Sequence, residues 1–304
     1  MIELDHVTKS YGAHDSVSDV SFTVDKGAFC AVVGPSGSGK STTMRMINRL
    51  IEPSAGSIRI NGEDIVHLPV ETLRRRIGYA IQSVGLFPHW KIADNIATVP
   101  RLLKWPEDKV RTRVDELLKL LQLDPATREK FPHQLSGGQQ QRIGVARALA
   151  ADPEVLLMDE PFGALDAIAR EALRAELSHI HRSTGKTILF VTHDIDEALQ
   201  MADTIAVLRD GKLVQFGTPL QLLIHPADDF VRDFMGGSTL GLKLLALRHV
   251  GERVKPEPVP GEPIAPETTL AEALSQMVLR RTSRLPVRGN GGANGSIGLS
   301  DLVA

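Results

Sequence analysis

The sequence predicts an α/β fold: a parallel core sheet, an antiparallel layer, a helical insertion and a small α+β tail. Three observations carry that expectation. Continuous apolar runs at residues 29–33, 155–158 and 188–191 read as strands buried on both faces. Helical patterns over residues 110–121, 139–150 and 167–182 stand between them, the alternation that joins parallel strands through crossovers on both faces of a sheet. Residues 2–7, 20–24 and 57–60 instead alternate apolar with polar, the last just before Asn61 and Gly62, which suits an antiparallel layer.

Each element follows from its local pattern. Residues 29–33, FCAVV, run straight into a glycine-rich turn, and the TTMRMINRL beyond it has helical apolar spacing, so the order is strand, loop, helix. Residues 74–130 read as a largely helical insertion. The second apolar run ends in Asp159 and Glu160 and the third in Thr192 and His193. Strand carboxyl ends are where ligands of open parallel sheets gather. After about Met235 the composition changes, and residues 255–266 hold five prolines, which keep a segment extended. The expected organisation is a large domain over residues 1–235, a connecting helix or linker over 236–250, and a tail over 251–304.

Composition excludes several classes. With 42% hydrophobic and 24% charged residues in 304, the chain is neither disordered nor fibrous. Lys and Arg number 35 against 37 Asp and Glu, a formal charge of -2, so no net field draws it to nucleic acid. A single cysteine, Cys30, permits no intrachain disulfide; it reads as a core residue in a chain suited to the reducing cytoplasm. The opening residues are charged rather than a secretory signal, and no apolar stretch approaches the ~18 residues of a membrane span. Any membrane role would run through partners.

The chemistry concentrates in a few motifs. Gly34, Pro35, Ser36, Gly37, Ser38, Gly39, Lys40 and Ser41 spell G-x-x-x-x-G-K-[ST] between a strand and a helix that continues through Thr42, the context of a phosphate loop rather than a plain glycine turn. There the glycines turn backbone N–H groups onto the β-phosphate, the helix terminus adds its positive dipole end, Lys40 reaches the β- and γ-phosphates, and Ser41 can ligate Mg²⁺. Nucleoside triphosphate binding follows. Asp159 is placed to hold the Mg²⁺ shell, and Glu160 to deprotonate an attacking water. His193 should face the same crevice. In residues 135–142, LSGGQQQR, Ser136, Gly137, Gly138 and Gln139 open another helix, either as a simple cap or as a second anion site. Two such termini far apart in sequence can close on one γ-phosphate only if a second chain supplies one, which predicts a nucleotide-sandwich homodimer.

These motifs resemble those of the ATP-binding cassette ATPases, a P-loop NTPase fold: GPSGSGKS is similar to their Walker A, VLLMDE to Walker B and LSGGQ to their signature, over residues 1 to about 235. The resemblance implies further stations. Tyr11 would stack on adenine, Gln82 in the Q-loop would sense the γ-phosphate and serve the metal, residues 164–166 would form the D-loop with Asp166 at the nucleotide, and His193 would be the switch histidine. Glu160 would be the catalytic base, with ATP and Mg²⁺ as cofactors.

A single cassette without membrane spans looks like a bacterial-type importer subunit, cytoplasmic and peripheral on the inner face of the cell membrane. Its partners would be separate transmembrane permease subunits and, indirectly, a substrate-binding protein. Residues 77–105 look closely like the ATPases of glycine betaine, choline and carnitine importers, with polar amino acid importers the nearest competitor. The tail resembles one CBS motif, whose mate a second subunit would supply; its Arg280, Arg281, Arg284 and Arg288 are solvated charge or a contact for anionic lipid. Two other classes compete: a soluble cassette that remodels nucleoprotein would carry a basic surface, and a regulatory nucleotide-binding module would lack Glu160.

Overall fold

In the computed structural model, which describes residues 1–81, 85–163, 165–289 and 295–302, alternating side chains set up the first layer. β1 (Ile2–Tyr11) and β2 (His14–Val24) pair antiparallel, Ile2 opposite Val24 and Tyr11 opposite His14. β3 (Phe29–Val33) is buried along its whole length and feeds the glycine loop and α1 (Lys40–Ile47). β4 (Ala55–Ile60) returns antiparallel to β1, and β5 (Glu63–Asp64) completes a sheet of order β2-β1-β4-β5.

The chain then builds the second layer. α2 (Val70–Arg76) leads into β6 (Ile77–Ala80), and α3 (Ile92–Leu102), α4 (Glu107–Leu120) and α5 (Gly137–Leu149) supply the helical insertion and the return. β7 (Val155–Asp159), α6 (Ala167–Thr184), β8 (Thr187–Val191), α7 (Ile195–Met201), β9 (Thr204–Arg209) and β10 (Lys212–Gly217) follow. The six-stranded sheet has the order β10-β9-β3-β8-β7-β6 and is parallel except for β10. Between the two sheets α1 buries Met44, Met46 and Ile47 in one core with Val24, Leu157 and Leu189. That core fixes where the loop ahead of α1 can sit.

The α/β layers and all three continuous apolar strands are as the sequence predicts. Two features differ. The segment expected to be largely helical, residues 74–130, contributes β6 as the edge of the core sheet; four residues including Gly78 are too short a run to stand out by periodicity. The β9–β10 hairpin is the second difference: its turn residues Asp210 and Gly211, with φ of 50° and 78°, are the Asp-Gly pair that two-residue hairpin turns favour. Cys30 lies in the core as expected, and burial pushes its thiol up to about 12.

The chain divides into two compact units, Met1–Pro219 and Leu220–Ala304. The second contains α8 (Pro219–Ile224, which begins at the division), α9 (Asp229–Met235), α10 (Leu240–Leu247), α11 (Leu270–Leu279), the antiparallel pair β11 (Arg284–Val287) and β12 (Gly295–Gly298), and α12 (Leu299–Leu302). Val250, Leu270, Met277, Leu285 and Ile297 form its small core. Thr269 caps α11 in a reciprocal box with Glu272, and the proline-rich stretch is non-helical, as predicted. Residues 290–294 of the tail lie outside the described residues. Among the described residues no helix is long and apolar enough to cross a membrane.

Candidate active site

The carboxyl ends of β3, β7 and β8 converge on one crevice. Gly34 leaves β3 with φ 153°, and a Cβ there would sit 2.1 Å from the Leu208 carbonyl oxygen on β9. Gly39 enters α1 with φ 96°, where a Cβ would meet the Ser16 carbonyl oxygen at 2.6 Å. Only glycine fits either position. The loop they permit wraps the Lys40 ammonium, which donates to the carbonyl oxygens of Gly34 and Pro35, each at 2.7 Å. Burial holds that ammonium below the usual lysine range, while Glu160 and Asp159 pull it back up.

The acids stand beside the loop. Ser41 Oγ donates to Asp159 Oδ1 at 3.2 Å, so a hydroxyl and a carboxylate oxygen meet at the mouth of α1. Burial raises the Asp159 carboxyl above its ordinary range, the Ser41 hydrogen bond opposes that, and the Glu160 charge adds to it. These are hard oxygen donors, the kind Mg²⁺ takes one or two of while phosphates and waters complete its octahedron, so the residues present fit that ion. Glu160 turns out of β7 with φ 47°, a left-handed conformation rare for a side chain of its size. Its N–H donates to Val191 O at 2.9 Å and its carbonyl accepts from Gly163 N at 3.2 Å. The turn leaves Glu160 Oε1 3.6 Å from His193 Nδ1.

Ser36, Gly37, Ser38, Lys40, Glu160 and His193 are among the residues lining a cavity of about 410 Å³, with Gly39, Ser41 and Thr42. The structure thus brings most of the predicted catalytic and phosphate-binding residues together. Ser16 of β2 also lines the cavity, its Oγ 3.0 Å from Thr42 Oγ1, and nothing in the sequence marks it, because the contact is made only when the antiparallel layer folds over α1. Tyr11 is 54% exposed at the end of β1, with Lys9 over its ring, and does not line the cavity. Ser136 caps α5, accepting from Gln139 N at 3.3 Å while Gln139 Oε1 accepts from Ser136 N at 3.1 Å. Ser136 and Gly137 are exposed, Gly138 and Gln139 partly so, and none of the four lines the cavity of its own chain. Asp166 caps α6 through Ala169 N at 2.8 Å. Gln82 and residue 164 lie outside the described residues.

Residues 17–163 match the ABC transporter family. The glycine betaine uptake system ATP-binding protein YehX of Escherichia coli (strain K12) is 57% identical over 288 residues, covering 94% of both chains. The glycine betaine/carnitine/choline transport ATP-binding protein OpuCA of Bacillus subtilis (strain 168) is 48% identical over 94% of this chain and 75% of its own. Among solved structures, the dimeric post-hydrolysis state of the ATP-binding cassette MJ0796 bound to ADP and Pi is similar, with a TM-score of 0.66 at 34% identity over 72% of this chain and 99% of that one.

Proposed function

The chain belongs to the ABC transporter family as an ATP-hydrolysing cassette, and we propose that its turnover drives import of a quaternary ammonium osmoprotectant of the glycine betaine, choline or carnitine type. The observation that carries the chemistry is Glu160 Oε1 at 3.6 Å from His193 Nδ1 across a crevice floored by the phosphate loop. Likeness to the glycine betaine uptake protein over nearly the whole of both chains supports the solute class.

In this reading the loop amides from Gly34 to Gly39 and the Lys40 ammonium hold the phosphates, and Tyr11 stacks on the adenine. Ser41, Asp159 and Gln82 would hold Mg²⁺, which when bound neutralises charge on the β- and γ-phosphate oxygens. Glu160 takes the proton of the attacking water, and His193 hydrogen-bonds the γ-phosphate. Ser136 and Gly137 are exposed and Gly138 and Gln139 partly exposed at the start of α5, which supports their use by a second copy: they close on the other protomer's ATP in a sandwich homodimer, with Asp166 beside them.

Permease subunits would carry the solute and a substrate-binding protein would deliver it, with this chain peripheral on the cytoplasmic face of the membrane. Phe87 lines a groove of about 300 Å³ with Tyr79 and Arg147, and its ring centroid lies 4.4 Å from that of Trp90; both aromatics are 44% exposed, which supports docking on that side. The tail reads as a single CBS-like motif that pairs with the tail of the second copy.

Glu160→Gln tests the chemistry: ATP binding persists, turnover falls about a thousandfold or more, and an ATP-bound dimer accumulates. Turnover at the wild-type rate would remove Glu160 from the mechanism. Uptake of labelled glycine betaine, choline and carnitine at low and high osmolarity, in a host lacking this chain and complemented with wild type or Glu160→Gln, tests the solute. Restoration by wild type alone supports the proposal, whereas unchanged uptake of all three moves the assignment to amino acids or another class.

A further inference from the structure

His193 stands on the short turn between β8 and α7, with Thr192 before it held by the Glu197 carboxylate, which the chemistry does not touch, and Asp194 after it held by the first N–H groups of α7. Thr192, 2% exposed, donates its hydroxyl to Glu197 Oε2 and accepts from Asp194 N at 3.0 Å. Asp194 Oδ1 accepts from the N–H groups of Asp196 and Glu197 at 2.9 and 3.3 Å. Glu197 is itself only 3% exposed; burial pushes its carboxyl above the usual range, against the Thr192 hydrogen bond and the cations of Arg170 and Arg174.

The counter-charge arrives from another element. Arg170 sits one turn into α6, its Nη2 donating to Leu165 O at 3.3 Å in the turn that leads from Glu160 to Asp166. Its Nη1 lies 3.6 Å from Asp194 Oδ2 and its Nε 3.9 Å from Glu197 Oε1. That Nε is buried and makes no hydrogen bond of its own. One guanidinium therefore spans the turn after Glu160 and the turn bearing His193. A planar guanidinium, with one delocalised charge and donors fixed in several directions, is suited to fixing the register of two turns, which a flexible ammonium is not.

We infer that Glu197 is a positioning residue for His193, and that Arg170 ties the His193 turn to the turn presenting Asp166, so that the histidine reaches the γ-phosphate only while the two are in register. The inference rests on the active-site reading above and adds to it a link between the segment facing the second protomer and the catalytic histidine. Misplacing a catalytic group by about 1 Å lowers rates by about 100-fold, which sets the expected scale.

The test uses the full chain with Glu197→Gln, Arg170→Gln and the double variant, each in wild-type and His193→Ala backgrounds, with single-turnover hydrolysis of γ-labelled ATP and steady-state KM. In the wild-type background each single variant lowers kcat by about 10- to 100-fold with KM for ATP held within about twofold, and the double variant is no worse than the poorer single. In the His193→Ala background neither substitution lowers the rate further. Losses that multiply in that background, a raised KM at unchanged kcat, or no effect of the single variants would each overturn the inference. If His193→Ala alone leaves kcat intact, the active-site reading falls and the positioning role falls with it, an outcome distinct from the others. Arg170 is about a third exposed, so Arg170→Gln carries the test alone should Glu197→Gln fail to fold.

Discussion

The two compact units solve opposite problems. Residues Met1–Pro219 stack two sheets around α1 and bury a large continuous core, which leaves room for a strained loop, a left-handed glutamate and three buried carboxylates, Asp159, Glu176 and Glu197. Residues Leu220–Ala304 place short helices on a two-stranded sheet and leave Leu242, Val278 and Leu279 65 to 77% exposed. A small core buries a smaller share of its surface and has less stability in reserve. The second unit buries Asp301, but against Lys255, whereas the first holds Asp159 and Glu197 around the site where the chemistry is.

The largest expected effect attacks the strained loop. Gly34→Ala drives a methyl into the Leu208 carbonyl at a φ of 153°, and should abolish ATP binding by calorimetry while removing several kcal/mol of stability. Gly37→Ala, at φ 78° with open space around its Cβ, pays only the left-handed backbone cost of about 1–2 kcal/mol and should still bind ATP. Equal losses at the two sites would mean that close approach is not what selects Gly34.

An identical cut in each core sharpens the contrast. Leu157→Ala in β7 and Leu285→Ala in β11 each remove a fully buried side chain, at about 2–5 kcal/mol. The larger unit should remain protease-resistant. The smaller should not, leaving a resistant fragment that ends near residue 219. Survival of residues 220–304 after Leu285→Ala would reverse the ranking of the two cores.

The smallest effect is a matter of sign. Asp301 in the second unit accepts from Lys255 and from Gly298 N, and the Lys255 hydrogen bond in particular holds its carboxyl below the ordinary 3.8. Its stabilisation is present above that value and lost as pH falls through the lowered one. Asp159 in the first unit is raised by burial, so its contribution is fullest below 3.8 and is lost as pH rises through the raised value. On acidification the two carboxylates therefore push their units in opposite directions. Amide exchange at pH 3.5 and 7, corrected for intrinsic rates, should show the second unit losing protection first, and Asp301→Asn should narrow the gap. Equal loss in both units would show that other groups dominate.

Much of the catalytic unit is legible in sequence because its strands are continuous apolar runs ending in reactive side chains: β3 in the glycine loop, β7 in Asp159 and Glu160, β8 just before His193. What escapes is whatever depends on distant pairing. β6 is too short to announce itself, Ser16 becomes a cavity wall only when β2 crosses α1, and Arg170 with Glu197 reads as ordinary helix-surface charge until α6 and α7 pack together. The division at Pro219 likewise falls inside a stretch whose composition does not change.

The glycine loop is hemmed from both layers. The Leu208 carbonyl presses on Gly34 from the core sheet and the Ser16 carbonyl presses on Gly39 from the antiparallel one, while Ser18 N donates to Gly211 O to pin the β9–β10 hairpin against β2. The eight-letter motif is therefore not portable. Grafted onto another strand and helix without those two carbonyl walls, GPSGSGKS would keep its letters and lose the cradle, because its shape is moulded by parts of the chain that carry no motif at all.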